Sequence, residues 1–456
     1  MMQELNTRLL TLGAAGMRGK IGSGLTPGAA SDFAAAFAAY SGSGRVLVGR
    51  DPRTSSEMLK CAVTAALAGG GCEVVDGGVL TAGIMHFLIP AGGYAGGILI
   101  TGGHQAAGWN ALIPLASDGS YFDPLRQREL FDLYLGRRFA PVRASEIKAV
   151  QQPAPEELEA YWTFLERNID VEAVRKANLT LLGDFCNGSG ARFAKRFASL
   201  LGVRLIGLND VPCGTIPRDP EPRPRTASPI RSIVEPLGAA VGLVFNSDLS
   251  RMGIVTDSGE PLSEELTYPL AADYLLGKLP AGTPIVTNVC TSRSVDDVAA
   301  RHGATLERAR VGQAAVIDLA RSTGAGLAGE GSGSFTTAPL RGFDGFLMAG
   351  LILESIAVRG VPLSEQLASL PRYEMVKQAI PVSSPNAYSM LRRMVREFGE
   401  EASVSELDGL RFDWPDGFLS LRLSSTEAAL RLISESKSRE TALERAWRAR
   451  LAWERL

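Results

Sequence analysis

Three times along this chain a short apolar run ends in a turn and gives way to a longer amphipathic stretch. That repeated beat restricts the fold more than any other feature, because strands alternating with helices point to parallel or mixed sheets covered by helices. In the first unit, Arg45–Asp51 reads as strand then turn, Ser55–Ala68 as helix, and Cys72–Gly78 and Gly97–Thr101 as further strands. The beat restarts after a proline-rich seam, Ala149–Leu158, with the strand Leu179–Asp184, the turn F-C-N-G-S-G and a helix from Ala191. A loop rich in Pro and Arg (Pro212–Arg225), a helix and the strand Ala239–Phe245 complete that unit. A third restart has the strand Thr283–Val289, a helix to about His302 and a Gly-rich loop at Gly324–Gly333. From about Arg372 the pattern is α+β, with L-S-L-R-L-S ahead of an Arg-rich terminal helix.

The expected fold is therefore α/β: three similar mixed α/β domains, 1–150, 151–258 and 259–371, plus a C-terminal α+β domain, 372–456. A chain of 456 residues is too long for one simple core, in keeping with several domains. Such units carry functional loops at the carboxyl ends of their strands, and ligands settle in clefts between domains.

Composition narrows the function classes. With 47 basic and 49 acidic residues the net charge is −2, so no basic excess points to nucleic acid. No apolar run is long enough to span a membrane, and the N-terminus lacks the apolar core of a signal peptide. Five scattered cysteines without a C-x-x-C pair read as reduced thiols, and the expectation is a soluble cytoplasmic protein. Three dispersed histidines make no His-based metal site.

One segment carries chemistry on its own terms. Arg422, Ser424, Ser425, Thr426 and Arg431 bring guanidinium forks and hydroxyls onto one strand and turn. Arg suits phosphate because its planar donors engage two oxygens at once. In Gly329-Glu330-Gly331-Ser332-Gly333, a carboxylate between glycines lets a ligand approach closely: Glu330 would accept hydrogen bonds from vicinal hydroxyls, with Ser332 as a further partner.

These segments take their place in an ordered series. Gly16-Met17-Arg18-Gly19-Lys20, Val48-Gly49-Arg50-Asp51-Pro52-Arg53-Thr54-Ser55-Ser56, Asp184–Gly190, Pro220-Glu221-Pro222, Gly329–Gly333 and Arg422–Glu427 with Arg431 follow one another along nearly the whole chain. In motif and order the series resembles the α-D-phosphohexomutase superfamily of phosphoglucomutase and phosphomannomutase. The resemblance implies four domains around a central cleft and a phosphorylated hexose as ligand. It also implies a role for Arg18, and for Arg53, in stabilising transferred phosphate charge.

The resemblance also marks departures. Where the family has T-A-S-H-N-P, with a serine that is phosphorylated, this chain reads Thr101-Gly102-Gly103-His104-Gln105-Ala106. The acceptor position is Gly103, which has no side chain to phosphorylate, and Ile113 stands where the family has a lysine. The family's metal loop D-x-D-x-D-R is Asn246-Ser247-Asp248-Leu249-Ser250-Arg251 here, and Ser334 replaces a histidine after the sugar loop. With Asp248 alone among Asn246 and Ser250, and without the −1.5 to −2 charge (roughly) of a phosphoserine, Mg²⁺ is expected to bind weakly or not at all. The expected function is a phosphohexomutase-like protein that binds a phosphorylated sugar without the phosphoserine and Mg²⁺ chemistry. The alternative is an active intramolecular phosphotransferase using another acceptor, such as His104.

Overall fold

A computed structural model of the chain describes residues 10–454 apart from 14–15, 339, 383–386 and 425–428. It divides into two compact units, one running through Thr267 together with Ser332–Ala368, the other comprising Tyr268–Gly331 and the chain from Ser369 onward.

The first unit carries two sheets. One has six strands in the spatial order Leu10–Gly13, Gly16–Lys20, Trp109–Ala116, Gly96–Ile100, Arg45–Arg50 and Glu73–Val79. The last three run parallel and the others antiparallel, so the sheet is mixed. Its apolar strand residues Val46, Val48, Ile98 and Ile100 are fully buried with Phe33, Phe37, Leu59, Val63 and Leu67 of the helices Pro27–Tyr40 and Thr54–Gly69. Each such side chain contributes about 1.5–3 kcal/mol by leaving water. The second sheet orders Met252–Thr256, Val241–Phe245, Thr180–Asp184 and Arg204–Leu208. Asp184 and Asn246 thereby stand at strand ends, where turns can carry function.

One local detail differs from the sequence reading. The helix expected from Ala191 opens with a 3-10 turn, Ser189–Arg192, before the α-helix Ala194–Leu201. The helix Gly345–Arg359 is buried over most of its length and is capped by Asp344, whose side chain accepts from Phe346 N at 2.9 Å. Burial raises the Asp344 carboxyl to about 6, and Tyr161 donates to it at 2.7 Å.

In the second unit, Pro284–Asn288 lies between Thr305–Ala309 and Leu327–Glu330, all parallel. The stretch Gly324–Gly333 is therefore not wholly a loop: Leu327–Glu330 is a fully buried strand, whose short, glycine-bearing sequence gives too little pattern to read as one. The C-terminal sheet has five antiparallel strands, ordered Glu374–Pro381, Ala429–Ser436, Gly417–Leu423, Leu410–Trp414 and Ser403–Ser405. The terminal helix Arg439–Glu454 buries Ala446, Ala449 and Trp453 in this sheet's core. No helix among the described residues is long and apolar enough to cross a membrane.

Candidate functional site

The loop after Gly96–Ile100 is built around two buried charges. Asp51 is fully buried and accepts from Arg53 N at 3.1 Å, Gly102 N at 3.0 Å and Ser247 Oγ at 3.1 Å, with a short bond from Ser56 Oγ at 2.5 Å. Arg53, 2% exposed, contacts Asp51 through Nε at 3.2 Å. Its other nitrogens donate to the carbonyls of Ala106 (2.9 Å), Trp109 (3.0 Å) and Gln105 (2.6 Å). The role expected for Arg53 on transferred phosphate is thus corrected: NH1 and NH2 are spent on the loop backbone, and Nε, which makes no hydrogen bond among the described residues, faces Asp51. The reason lies in burial, since a guanidinium inside the fold must satisfy its N–H groups locally.

That geometry accounts for both glycines. A Cβ on Gly102 would sit 2.2 Å from the Arg53 guanidinium, and Gly103 adopts φ +55°, a left-handed backbone. A side chain begun at Gly103 would meet Asp248 Oδ2 at 3.1 Å. Thr101 points inward, with Oγ1 3.0 Å from Asp51 and 3.1 Å from Asp248, and it accepts from Gly103 N at 2.8 Å.

The segment Asn246–Arg251 closes on itself. Asp248 Oδ1 accepts from Asn246 Nδ2 (2.9 Å), Ser250 N (3.1 Å) and Ser250 Oγ (2.7 Å). Asn246 Oδ1 accepts from Ser250 N at 2.9 Å and Arg251 N at 3.1 Å. A hard divalent cation needs several convergent oxygens with free lone pairs. Here the one carboxylate is enclosed by donors, so Asn246, Asp248 and Ser250 do not fit such an ion. No group of three or more His, Cys, Asp or Glu among the described residues could hold a metal. Arg251 does not pair with Asp248; its NH1 lies 3.2 Å from Glu221 Oε1.

Around this core stands a cationic cluster. Arg18, on Gly16–Lys20, has its pKa lowered by burial and then by Arg251, while Asp248 pulls the other way. His104, half-buried, contacts Gln105 Nε2 at 3.0 Å. Its pKa falls well below the usual histidine value, chiefly because of the Arg251 charge, then burial, Arg18 and Arg223. The imidazole is neutral at neutral pH. His86, by contrast, is a core residue: Nδ1 contacts Gly119 O at 2.6 Å, and burial lowers its pKa to about 4. His302 Nε2 lies 3.1 Å from Asp273 Oδ1.

In the second unit Glu330 ends its strand, 4% exposed, and accepts from Asn288 Nδ2 at 2.9 Å and Gly312 N at 3.1 Å. These partners fix the carboxylate's position; neither was singled out from sequence, and only their places at strand and helix ends hinted at them. Ser332 is half-buried and belongs to the first unit. Arg422 and Arg431 stand directly opposite each other on neighbouring antiparallel strands, so both side chains rise from one face of the sheet. Like charges so placed repel, and Arg422 Nε is buried without a hydrogen-bond partner among the described residues, its nearest carboxylate, Asp408, 3.8 Å away. Ser424 N donates to Ala429 O at 2.8 Å. Ser425 and Thr426 lie outside the described residues.

Comparison with known proteins places these features in company. Residues 10–139, 159–259 and 264–373 match phosphoglucomutase/phosphomannomutase alpha/beta/alpha domains I, II and III respectively. A Pyrococcus abyssi protein named "Probable phosphoglucosamine mutase" is 30% identical over 439 residues, covering 94% of each chain. A Thermococcus kodakarensis phosphoglucomutase/phosphomannomutase is 29% identical over 441 residues, covering 95% of this chain and 96% of that one. Among solved structures, a phosphoglucomutase/phosphomannomutase family protein from Burkholderia thailandensis superposes with a TM-score of 0.81 at 25% identity, covering 96% of both chains. The Paramecium phosphoprotein parafusin, at 16% identity and TM-score 0.78 over 97% of this chain and 96% of its own, shares the fold.

Proposed function

The chain belongs to the phosphoglucomutase/phosphomannomutase family, and from that premise we propose that it binds a phosphorylated hexose without carrying out phosphoserine- and Mg²⁺-dependent transfer. The sugar phosphate would be held by Arg422 and Arg431, with Ser424, Ser425 and Thr426 adding donors, and its hydroxyls by Glu330 and Ser332. Relatives named phosphoglucosamine mutase bring an amino sugar phosphate within the candidate ligands, beside glucose and mannose phosphates. The observation that carries the non-transfer part is Asp248. Its oxygens are engaged by Asn246, Ser250 and Thr101, beside a residue, Gly103, that has no side chain.

A second reading has one observation in its favour. His104 lies beside Arg18, Arg223 and Arg251, whose charges hold its pKa low, and its Nε2 lone pair, which accepts from the Gln105 side-chain amide at 3.0 Å, would leave that bond to take a phosphoryl group whose charge those arginines would balance. The experiment that separates the two is ³¹P NMR with glucose 1-phosphate, mannose 1-phosphate or glucosamine 1-phosphate, Mg²⁺ and a catalytic amount of the matching 1,6-bisphosphate. The non-transfer reading expects ligand broadening that survives EDTA and no 6-phosphate resonance. A 6-phosphate signal that vanishes with His104→Ala would replace it with the second reading.

A further inference from the structure

We propose that the first unit carries a second ligand site, a pocket for a small organic cation, at the amino ends of the strands Thr180–Asp184 and Val241–Phe245. The proposal goes beyond the phosphosugar reading and does not rest on it.

A cavity of about 550 Å³ lies there, lined by the turns that follow the helices Val171–Ala177 and Pro224–Val234, by Asp257 and by the end of Gly345–Arg359. All of these segments belong to the first unit. The volume falls in the range of roughly 300–1,000 Å³ that small-molecule sites occupy. The two strands begin beside the cavity, and their far ends carry Asp184 and lead into Asn246. A strand of this length separates its ends by about 13 Å, so the pocket is distinct from the Asn246–Arg251 segment. Its mouth is formed by left-handed turns: Gly238 and Gly360 have φ +60° and +66°, and a Cβ at either would meet nothing within 4 Å.

The walls select the sign of the ligand. Leu179, Ile356, Val361 and Pro362 supply apolar surface, and Glu235 and Asp257 supply two carboxylates. Among the described residues that line the pocket there is no Lys, Arg or His. Asp257 accepts from Ser364 N and Oγ, both at 2.8 Å, and these neutral donors leave its negative charge uncompensated. The helices Pro224–Val234 and Gly345–Arg359 both end at the pocket, and a helix carboxyl end carries a partial charge of roughly −0.5. Every charge on the wall is therefore negative, which repels a phosphate ester and attracts an ammonium group. Val361 is 36% exposed, and an apolar body attached to the ammonium covers it together with Leu179 and Ile356. A bare divalent ion fits less well, since no three His, Cys, Asp or Glu gather there among the described residues. The class that satisfies both surfaces is a primary amine on a short apolar chain.

The test uses the full-length chain and three probes of one length, hexylammonium, hexanol and hexanoate, titrated by ligand-observed NMR at neutral pH. The expected result is saturable hexylammonium binding, with hexanol at least tenfold weaker and hexanoate unbound. Glu235→Gln, at an exposed carboxylate, is expected to weaken hexylammonium about threefold. Adding Asp257→Asn is expected to bring the loss to about tenfold. Ala357→Trp, which places a ring in the pocket from the last turn of its helix, is expected to abolish binding with circular dichroism unchanged. Absent or non-saturable hexylammonium binding, equal binding of hexanol or hexanoate, or binding indifferent to loss of both carboxylates would overturn the proposal. Full binding to a folded Ala357→Trp would overturn it too, and the carboxylate variants decide the matter if that chain fails to fold.

Discussion

Arg53 is buried and Arg18 half-buried in the first unit, and they differ in where their donors go. Arg53 directs its nitrogens to Asp51 and to the carbonyls of residues 105, 106 and 109, and so holds a loop in shape. Arg18 has no acceptor among the described residues. In the second unit Arg411 pairs with Asp413 at 2.7 and 2.8 Å, while Arg422 Nε lies 3.8 Å from Asp408 and, among the described residues, makes no hydrogen bond. The lesson is that burial of a cation does not say what it does; the destination of its donors does. Where the fold supplies acceptors the arginine serves as architecture, and the proposed anion-binding role belongs to arginines with fewer of them.

The contrast can be broken or sharpened by measurement. Replacing Arg53 with Met should have the largest effect, a loss of about 3–5 kcal/mol in urea unfolding, because Asp51 is left buried without its cation. A loss under 1 kcal/mol would place Arg53 with the ligand-facing group. Arg422→Gln should reduce phosphosugar affinity by about 2–3 kcal/mol, roughly 30- to 150-fold by calorimetry, while leaving the melting temperature unchanged or slightly raised.

His86 tests burial without a ligand. Its folded pKa of about 4 lies below the ordinary 6.5, so its stabilising effect is complete above pH 6.5 and is lost as pH falls toward 4. Between pH 7.5 and 5.0 the chain should lose about 2 kcal/mol on this account, a loss absent in His86→Gln. Asp344, raised to about 6, works in the opposite direction over the same range, so the comparison must be between variant and parent at each pH. Gly103→Ser should cost about 1–2 kcal/mol, from its left-handed backbone and the approach to Asp248, without creating a stable phosphoserine detectable by mass spectrometry. The smallest effect belongs to EDTA, which should move neither the melting temperature nor phosphosugar affinity; a shift of several degrees would reopen the Asn246–Arg251 segment as a metal site.

Much of the fold was legible because apolar runs and amphipathic stretches are local patterns. The strand expected at Arg45–Asp51 is observed at Arg45–Arg50, and the helix expected at Ser55–Ala68 at Thr54–Gly69. The strand Leu327–Glu330 was missed because four residues with a central glycine carry too little periodicity to register. Of the candidate site, Arg18, His104, Glu330, Arg422 and Arg431 were visible as residue types in motifs. Arg223, which shares Glu221 with Arg251, was not, because nothing in P-E-P-R says that its glutamate also meets an arginine from a distant segment.

By itself the sequence determined which elements form, in what order, and that Gly103 and Ile113 stand where a resembling chain has serine and lysine. Only the tertiary structure decided that Asp248 is enclosed by its own loop and that Arg53 NH1 and NH2 are directed to loop carbonyls. The physical reason is that secondary structure follows from short-range patterning along the chain. Whether a charged group finds its partner depends on residues brought together from distant segments, such as 18, 104, 223 and 251.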